Sequence, residues 1–492
     1  MKRKHMTGDS AEDLSPELRA VGERLRAASR PVPRDPAFTA RLRADLLLAH
    51  HARPTPQPRR LRLAQGSWRL VLLAALLAAF GGGIAAAGVL APAPEPGTVL
   101  MGREPILRTI FVGATAGAVA VDARTERAFV VTQSEPVQGR FPRMLVRVLD
   151  TTTGGLVGAV PLGMAGGIGT SAVGVDQRAG RAFVARENPP GGDSSGAVSV
   201  LDARSGAVLR RTTFPRRPTA RTSPDTLLAR TTMAIDERTG HAFIAIPDAN
   251  AVAVLNTHSG ALLRTSGVGI APSDLAVDAR SGRVVVANSG DTTVSVLDAA
   301  SGRVLRTIVV SGVPTALAVD EQTGRAFVTL RGATDRRGAL VMGTSHVAVL
   351  DVRTGRVLRT VAVPATPSVV AVAAGTGRVF VAGAVSSGDG RVSMLDAVTG
   401  RLLHTSMVGA YPDSMAVVAH DGSVVVTTWP RPGAAGRLTG VVSVLDARTG
   451  RVTRSINGGM GLLSPGPLAV DERTGQVFLA SDTTVSVLDA RR

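Results

Sequence analysis

Between residues 119 and 489 the chain alternates short apolar runs with polar turn residues, and one phrase recurs eight times. It consists of an apolar run closing on Asp, a tight turn, an apolar strand, a loop, a Val-Leu-Asp strand and a second turn. The copy at residues 275–314, LAVDARSGRVVVANSGDTTVSVLDAASGRVLRTIVVSGVP, divides into four strands. Within each copy Val, Leu, Ala and Phe return with the two-residue period of a strand, and Asp-x-x-Thr/Ser-Gly stands between the runs. The first strands end at Asp122, Asp176, Asp236, Asp278, Asp320, Ala373, Val418 and Asp471. The third strands end at Asp150, Asp202, Asn256, Asp298, Asp351, Asp396, Asp446 and Asp489. The period is 42 residues from Asp236 to Asp278 and again to Asp320, and 60 from Asp176 to Asp236, so loops absorb the difference.

The turn residues have a mechanical reason. An Asp oxygen can accept backbone N–H groups of the turn, and Gly then takes the positive φ that closes the hairpin. Gly180, Gly240, Gly282, Gly324 and Gly475 fit this scheme, and Glu126 departs from it. A four-stranded sheet repeated radially is a propeller blade, and the register at the chain ends predicts closure into a ring. The last copy stops at Asp489 followed by Ala490, Arg491 and Arg492, without a fourth strand. Leu107-Arg-Thr-Ile-Phe-Val-Gly113 matches the fourth strands that begin at Leu305 and Leu358. The segment Leu107–Val112 is therefore expected to pair with Val485–Asp489, bonding two free edges and tying the ends of a ring whose units touch only neighbours. The fold class is all-β, an eight-bladed β-propeller, with seven blades as the alternative.

Residues 106–492 resemble the YVTN-type β-propeller repeat family, whose repeats share the apolar-Asp turn, a Tyr-Val-like strand, Asn, and Val-Ser-Val-Leu/Ile-Asp. Phe129, Phe183, Phe243, Phe327, Phe380 and Phe478 stand where that family often has Tyr. The resemblance implies the propeller fold. It leaves function open among surface-layer, adhesion, periplasmic binding and enzyme roles, because function resides in sites grafted on a fold.

Four regions divide the chain: a basic segment 1–69, an apolar segment 70–91, a Pro-rich linker 92–105 and the repeats 106–492. Of the +18 formal charge, 15 basic against 7 acidic residues in 1–69 contribute +8. Lys occurs only at Lys2 and Lys4, so the remaining excess is a diffuse scatter of Arg. With 3% aromatic residues and no basic stripe, the chain lacks the stacking platform that nucleic acid binding uses. Leu70 to Ala91 is 22 residues without a charge, long enough to span a bilayer core at about 1.5 Å per residue. Arg53, Arg59, Arg60, Arg62 and Arg69 crowd its amino side, and the next basic residue is Arg103. The positive-inside rule then predicts a single-pass membrane protein with a cytoplasmic N-terminus and an extracytoplasmic propeller. The competing reading is a cleaved export signal, with small residues at 85–88 and a twin-arginine look-alike at Arg59-Arg60. Export is common to both.

Inside the basic segment, Ser15 to Ala28 and Asp35 to Ala49 read as short helices, the second opened by Asp35-Pro36 and presenting Phe38, Leu42 and Leu46 on one face. The layout is similar to the juxtamembrane segments of bacterial anti-sigma-type membrane proteins. Residues 36–49 are thereby a candidate contact for a cytoplasmic partner, or else a basic helix on the membrane surface.

The chemistry is sparse. There is no Cys, which removes disulfides, thiolate metal sites and covalent c-type haem. The Asp turns are spaced round a ring and do not offer the six converging oxygens that calcium needs. His241, His258, His346, His404 and His420 lie in different stretches without H-x-H or H-E-x-x-H spacing, so no metal ligand set and no cofactor is expected. Trp429 is the only tryptophan of the repeats, unlike quinone-cofactor propellers, in which a Trp follows each such turn. No hydrolytic site is visible, and a lactonase or lyase type of enzyme is the alternative class, beside a transmembrane regulator.

What remains is a contrast between faces. Strand antiparallelism puts all Asp-Gly hairpins on one face and the loops between second and third strands, with the blade connections, on the other. The long loops are 132–145, 186–197, 330–346, 383–391 and 428–440, with the connection 214–230. Variable loops on a rigid ring suit recognition of a protein or surface ligand. Near the channel mouth on that face the innermost strands begin with Ser273, Asp274, Thr315, Ser368, Asp413 and Ser414, the candidate ligand-binding residues, for which solvated strand caps are the alternative. The expected function is a membrane-anchored binding or scaffolding module.

Overall fold

The computed structural model describes residues 96, 98–101, 106–134, 143–164, 171–187, 194–215, 231–332, 345–429, 440–457 and 465–490. These belong to one compact unit, residues 75–492. The expected segments 1–69 and 70–91, and most of the long loops, lie outside the described residues. Among the described residues no helix is long and apolar enough to cross a membrane.

The described chain is all β apart from single 3₁₀ turns at Pro247–Ala249 and Ala374–Thr376. It forms antiparallel sheets, most of them four-stranded and built from consecutive strands, which is the architecture of a β-propeller. All sixteen strand ends marked by the repeat end a strand at the expected residue. The reason is local. In the cleanest copy the first-turn Asp278 Oδ1 accepts the Ser281 amide at 3.1 Å, its Oδ2 accepts the Ser281 hydroxyl at 2.6 Å, and Gly282 closes the turn at φ +66°. Glu126 occupies the equivalent left-handed position with φ +58° and pairs with Arg473 at 2.8 Å.

The innermost strands are Thr115–Asp122, Ser171–Asp176, Met233–Asp236, Pro272–Asp278, Val313–Asp320, Thr366–Ala373, the second half of Leu402–Val418, and Pro465–Asp471. Each packs on the next, and the last packs on the first. The hydrophobic clusters lie between successive repeats. One joins Phe327, Val347 and Val349 to Val379, Val381 and Leu395 of the following repeat. Another joins Phe478, Val485 and Val487 at the end of the chain to Ala128, Val130 and Leu149 near its start.

The closing strand lies where the register places it. Ile106–Phe111 pairs with Thr484–Asp489 through Ile106↔Leu488, Arg108↔Val487, Thr109↔Ser486, Ile110↔Val485 and Phe111↔Thr484. Its outer edge receives a further short strand, Val99–Met101, in antiparallel register with Arg108–Ile110. The recurrent Leu-Arg-Thr of outer strands also has a tertiary reason. The Arg108 guanidinium donates to the carbonyls of Thr151 and Thr152, and Arg306 to that of Thr354, so each cation latches onto the second turn of the next repeat.

Three details differ from the sequence reading. Residues 383–391 do not form a long loop: Ala384 pairs with Gly390, which leaves a tight turn at 385–388. His346 begins a strand, paired with Leu330 and Ala362, where a loop was expected. Leu402–Val418 runs unbroken from an outer to an inner position, fusing two repeats into one seven-stranded sheet.

Candidate functional site

Four innermost strands share an irregularity beside a proline. The pairing with the second strand skips one residue between Pro272 and Asp274, Pro314 and Ala316, Pro367 and Val369, and Pro412 and Ser414. The skipped residues are Ser273, Thr315, Ser368 and Asp413. Proline cannot donate to a ladder, and a β-bulge beside it re-aims the side chain that follows. Four of the six candidate residues are therefore bulge residues, and Asp274 and Ser414 follow directly. Gly117, skipped between Ala116 and Ala118, is the equivalent in the first repeat.

The bulged hydroxyls reach across to the next repeat. Ser273 Oγ donates to the Thr315 carbonyl at 3.5 Å, Thr315 Oγ1 to the Pro367 carbonyl at 3.5 Å, and Ser368 Oγ to the Pro412 carbonyl at 2.9 Å. Thr315 also lies 2.8 Å from the Thr329 hydroxyl. The Ser414 carbonyl accepts the Thr427 hydroxyl at 3.4 Å within its own repeat. The structure thus brings Ser273, Asp274, Thr315 and Ser368 into one inter-repeat series, with the three hydroxyls directed at protein carbonyls and the Asp274 carboxylate at backbone amides. Asp413 occupies the same register one repeat further on and is half-buried.

Asp274 does most in this series. Its Oδ1 accepts the Leu275 amide at 2.9 Å, and its Oδ2 accepts the Leu317 amide of the neighbouring innermost strand at 2.8 Å. Burial between the strands pushes its carboxyl up to about 6, against the two amide bonds, which favour the charged form. The second-turn carboxylates go the other way. Amide bonds from Ser205, Ser301 and Thr399 hold Asp202, Asp298 and Asp396 below the usual range, and the Thr449 hydroxyl does so for Asp446.

These directions set opposite pH dependences. An acid raised to about 6 in the folded chain and near 3.9 unfolded binds more protons when folded, so its contribution to stability falls as pH rises between those values. The second-turn aspartates contribute stability above about pH 4 that is lost on further acidification. Asp274→Asn is expected to flatten the urea midpoint between pH 4 and 6, while the loss below pH 4 persists. An unchanged slope in the variant would show that another group titrates in that window.

Among the described residues the arrangement sets no nucleophile beside a base. Among the described residues no group of three or more His, Cys, Asp or Glu converges on a metal-sized space. At the opposite, hairpin mouth a cavity of about 580 Å³ is lined by Ile235, Glu237, Arg238, Val277, Arg178 and Glu321. Glu237 Oε1 accepts the Gln177 amide at 2.8 Å, Glu321 Oε1 accepts the Ala279 amide at 3.3 Å, and Arg238 Nε donates to the Ala279 carbonyl at 2.9 Å. These too are latches between successive turns. The signal of the two carboxylate latches in the sequence is the Glu that follows the first-turn Asp, at Asp236-Glu237 and Asp320-Glu321.

No family model and no curated protein matches the chain. Solved structures with a similar shape include BamB from Moraxella catarrhalis, 16% identical, with 80% of this chain and 100% of that one covered at a TM-score of 0.48. They also include Kuenenia stuttgartiensis hydrazine synthase, 16% identical, with 51% and 72% covered at a TM-score of 0.43. Likeness of this degree carries no inference about activity.

Proposed function

We propose that the chain is a single-pass membrane protein that displays an eight-bladed, YVTN-type β-propeller outside the cell as a binding and scaffolding module. The observation that carries this reading is the contrast between two faces of one closed ring. The hairpin face repeats one Asp-capped turn, whereas the other face emits loops of unlike length from equivalent strand ends. The cyclic contact of the innermost strands and the hydrophobic clusters between successive repeats support eight blades, the fused sheet contributing two. The uncharged run 70–91 with arginines on its amino side supports the anchor and its orientation, and residues 36–49 would meet a cytoplasmic partner.

The test combines topology with loop exchange in the full chain. Protease added to intact spheroplasts is expected to remove the propeller and spare residues 1–69. Replacing 330–346 by the short 288–293 turn is expected to leave folding intact, since closure entropy changes slowly with loop length, and to cut cross-linking to partners on the loop face several-fold. A protected propeller would overturn the topology. Cross-linking that survives loop shortening but fails after Arg303, Arg356, Arg401 and Arg451 are changed to Ser would place recognition on the hairpin face.

A further inference from the structure

The chain enters the propeller at a defined place. The amide of Phe111 donates to the Thr98 carbonyl at 2.9 Å, and Val99–Met101 pairs with the closing strand. Gly113, at φ +63°, leaves room for the ring of Pro96: a β-carbon there would stand 2.8 Å from Pro96 Cγ. Gly113 lies in the connection between the closing strand and the first innermost strand, which is on the long-loop face. Val112 and Ala116 confirm the side, their amides donating to Thr483 and Asp482 in the turn between the second and third strands of the last repeat. Only residues 92–95 separate the docked Pro96 from the end of the apolar run, a reach of about 14 Å even when extended.

Among the described residues, the exposed aromatic side chains Trp429 and Tyr411 lie on the same face. Trp429 ends a second strand and is 40% exposed, and Tyr411 is 42% exposed in the bulge opposite, between Ala410, which pairs with Trp429, and Pro412, which pairs with Thr428. Met407, opposite Arg391, and Ile270, in the connection before Pro272–Asp278, are exposed on the same side. The leucines exposed on the outer strands belong to the circumference instead. Trp and Tyr combine an apolar body with a polar tip, which suits the level of lipid headgroups. In the sequence the long loops 132–145, 186–197, 330–346 and 428–440, with the connection 214–230, hold twelve Arg against five acidic residues, an excess of the sign that lipid phosphates attract. Of the aspartates on this face, Asp274 and Asp291 are occupied by backbone amides.

We infer that the long-loop face rests on the phospholipid surface from which the chain emerges, with Trp429 and Tyr411 at headgroup level. This deepens the proposed function, on whose anchor it rests, by naming lipid as the occupant of the loop face round Trp429. Partners then reach the ring through those loops that lie away from this contact.

The test uses the full chain carrying Trp68→Phe, so that Trp429 is the sole tryptophan. It is reconstituted into phosphatidylcholine–phosphatidylglycerol vesicles with ordinary or brominated acyl chains. Bromolipid is expected to lower Trp429 emission about twofold, and acrylamide to quench it several-fold less than in the detergent-unfolded chain. Emission equal in both vesicles with full access to acrylamide would overturn the inference. Protection from acrylamide without bromine quenching would overturn it too, since protein would then cover the face. If alkaline carbonate strips the chain from the vesicles, the anchor itself fails and the lipid contact with it. Retention with an unquenched Trp429 would sink the contact alone.

Discussion

A chain that begins at Ala114 is expected to lose cooperative folding at neutral pH, whereas one that begins at residue 96 should keep it. The difference is the closing strand. Ile110 and Val112 are fully buried, packed with Phe478, Val485 and Val487 of the last repeat and with Val130 and Leu149 of the first. Each large aliphatic side chain lost from such a core costs about 2–5 kcal/mol. Five register pairs to Thr484–Asp489 go with them, leaving a bare strand edge and an open ring. Domains of this kind carry a net stability of about 5–15 kcal/mol, so the loss consumes most or all of it. Urea unfolding followed by circular dichroism, with size-exclusion chromatography, measures the effect. A peptide of residues 106–113 supplied in excess is expected to restore part of the midpoint. A chain starting at Ala114 that unfolds at the same urea concentration as the longer one would show that closure contributes nothing.

That closure was legible in the sequence because a fourth strand missing at one end and a spare one at the other are statements about register, which the repeat carries in its letters. The strand ends were legible for a related reason: each Asp-x-x-Thr/Ser-Gly turn is satisfied within four residues, so its geometry does not depend on the rest of the ring. What escaped depends on contacts between repeats. The bulges at Ser273, Thr315, Ser368 and Asp413 arise where a proline meets the neighbouring strand, and the hydroxyls of the first three find acceptors on a strand more than forty residues away. The sequence placed Ser273, Thr315 and Ser368 near strand starts, as found, whereas Asp413 falls within the unbroken strand Leu402–Val418. The sequence could not show that the three hydroxyls brace the ring, since that follows from how one blade is seated on the next. Residues 383–391 misled for another reason: Gly-rich polar letters describe a long loop and a tight turn equally well, and only the pairing of Ala384 with Gly390 separates them. The Glu237 and Glu321 latches had a signal in the doubled Asp-Glu, but an acid beside an Asp turn also reads as an ordinary solvated residue.

Phe327 provides the other large expected effect. Its ring is fully buried between two repeats, against Val347 and Val349 on its own sheet and Val379, Val381 and Leu395 on the next. Phe327→Ala is expected to cost about 3–5 kcal/mol, as a large-to-small change in a close-packed core does. Phe327→Tyr puts in the residue common in the resembled family, and the ring it replaces packs within a hydrophobic cluster. A phenolic hydroxyl left unpaired there would cost about 1–3 kcal/mol. The order of urea midpoints should be wild type, then Tyr, then Ala. Because each repeat touches only its neighbours, the damage falls on one interface of a ring, and cooperativity decides its reach. Unfolding of the Ala variant is expected to stay coincident when followed by Trp429 emission and by circular dichroism, since closure couples every interface to the rest. A Tyr variant as stable as wild type would mean that its hydroxyl finds a partner or water at the edge of the cluster, and two separated transitions in the Ala variant would mean that the ring can melt locally at that seam.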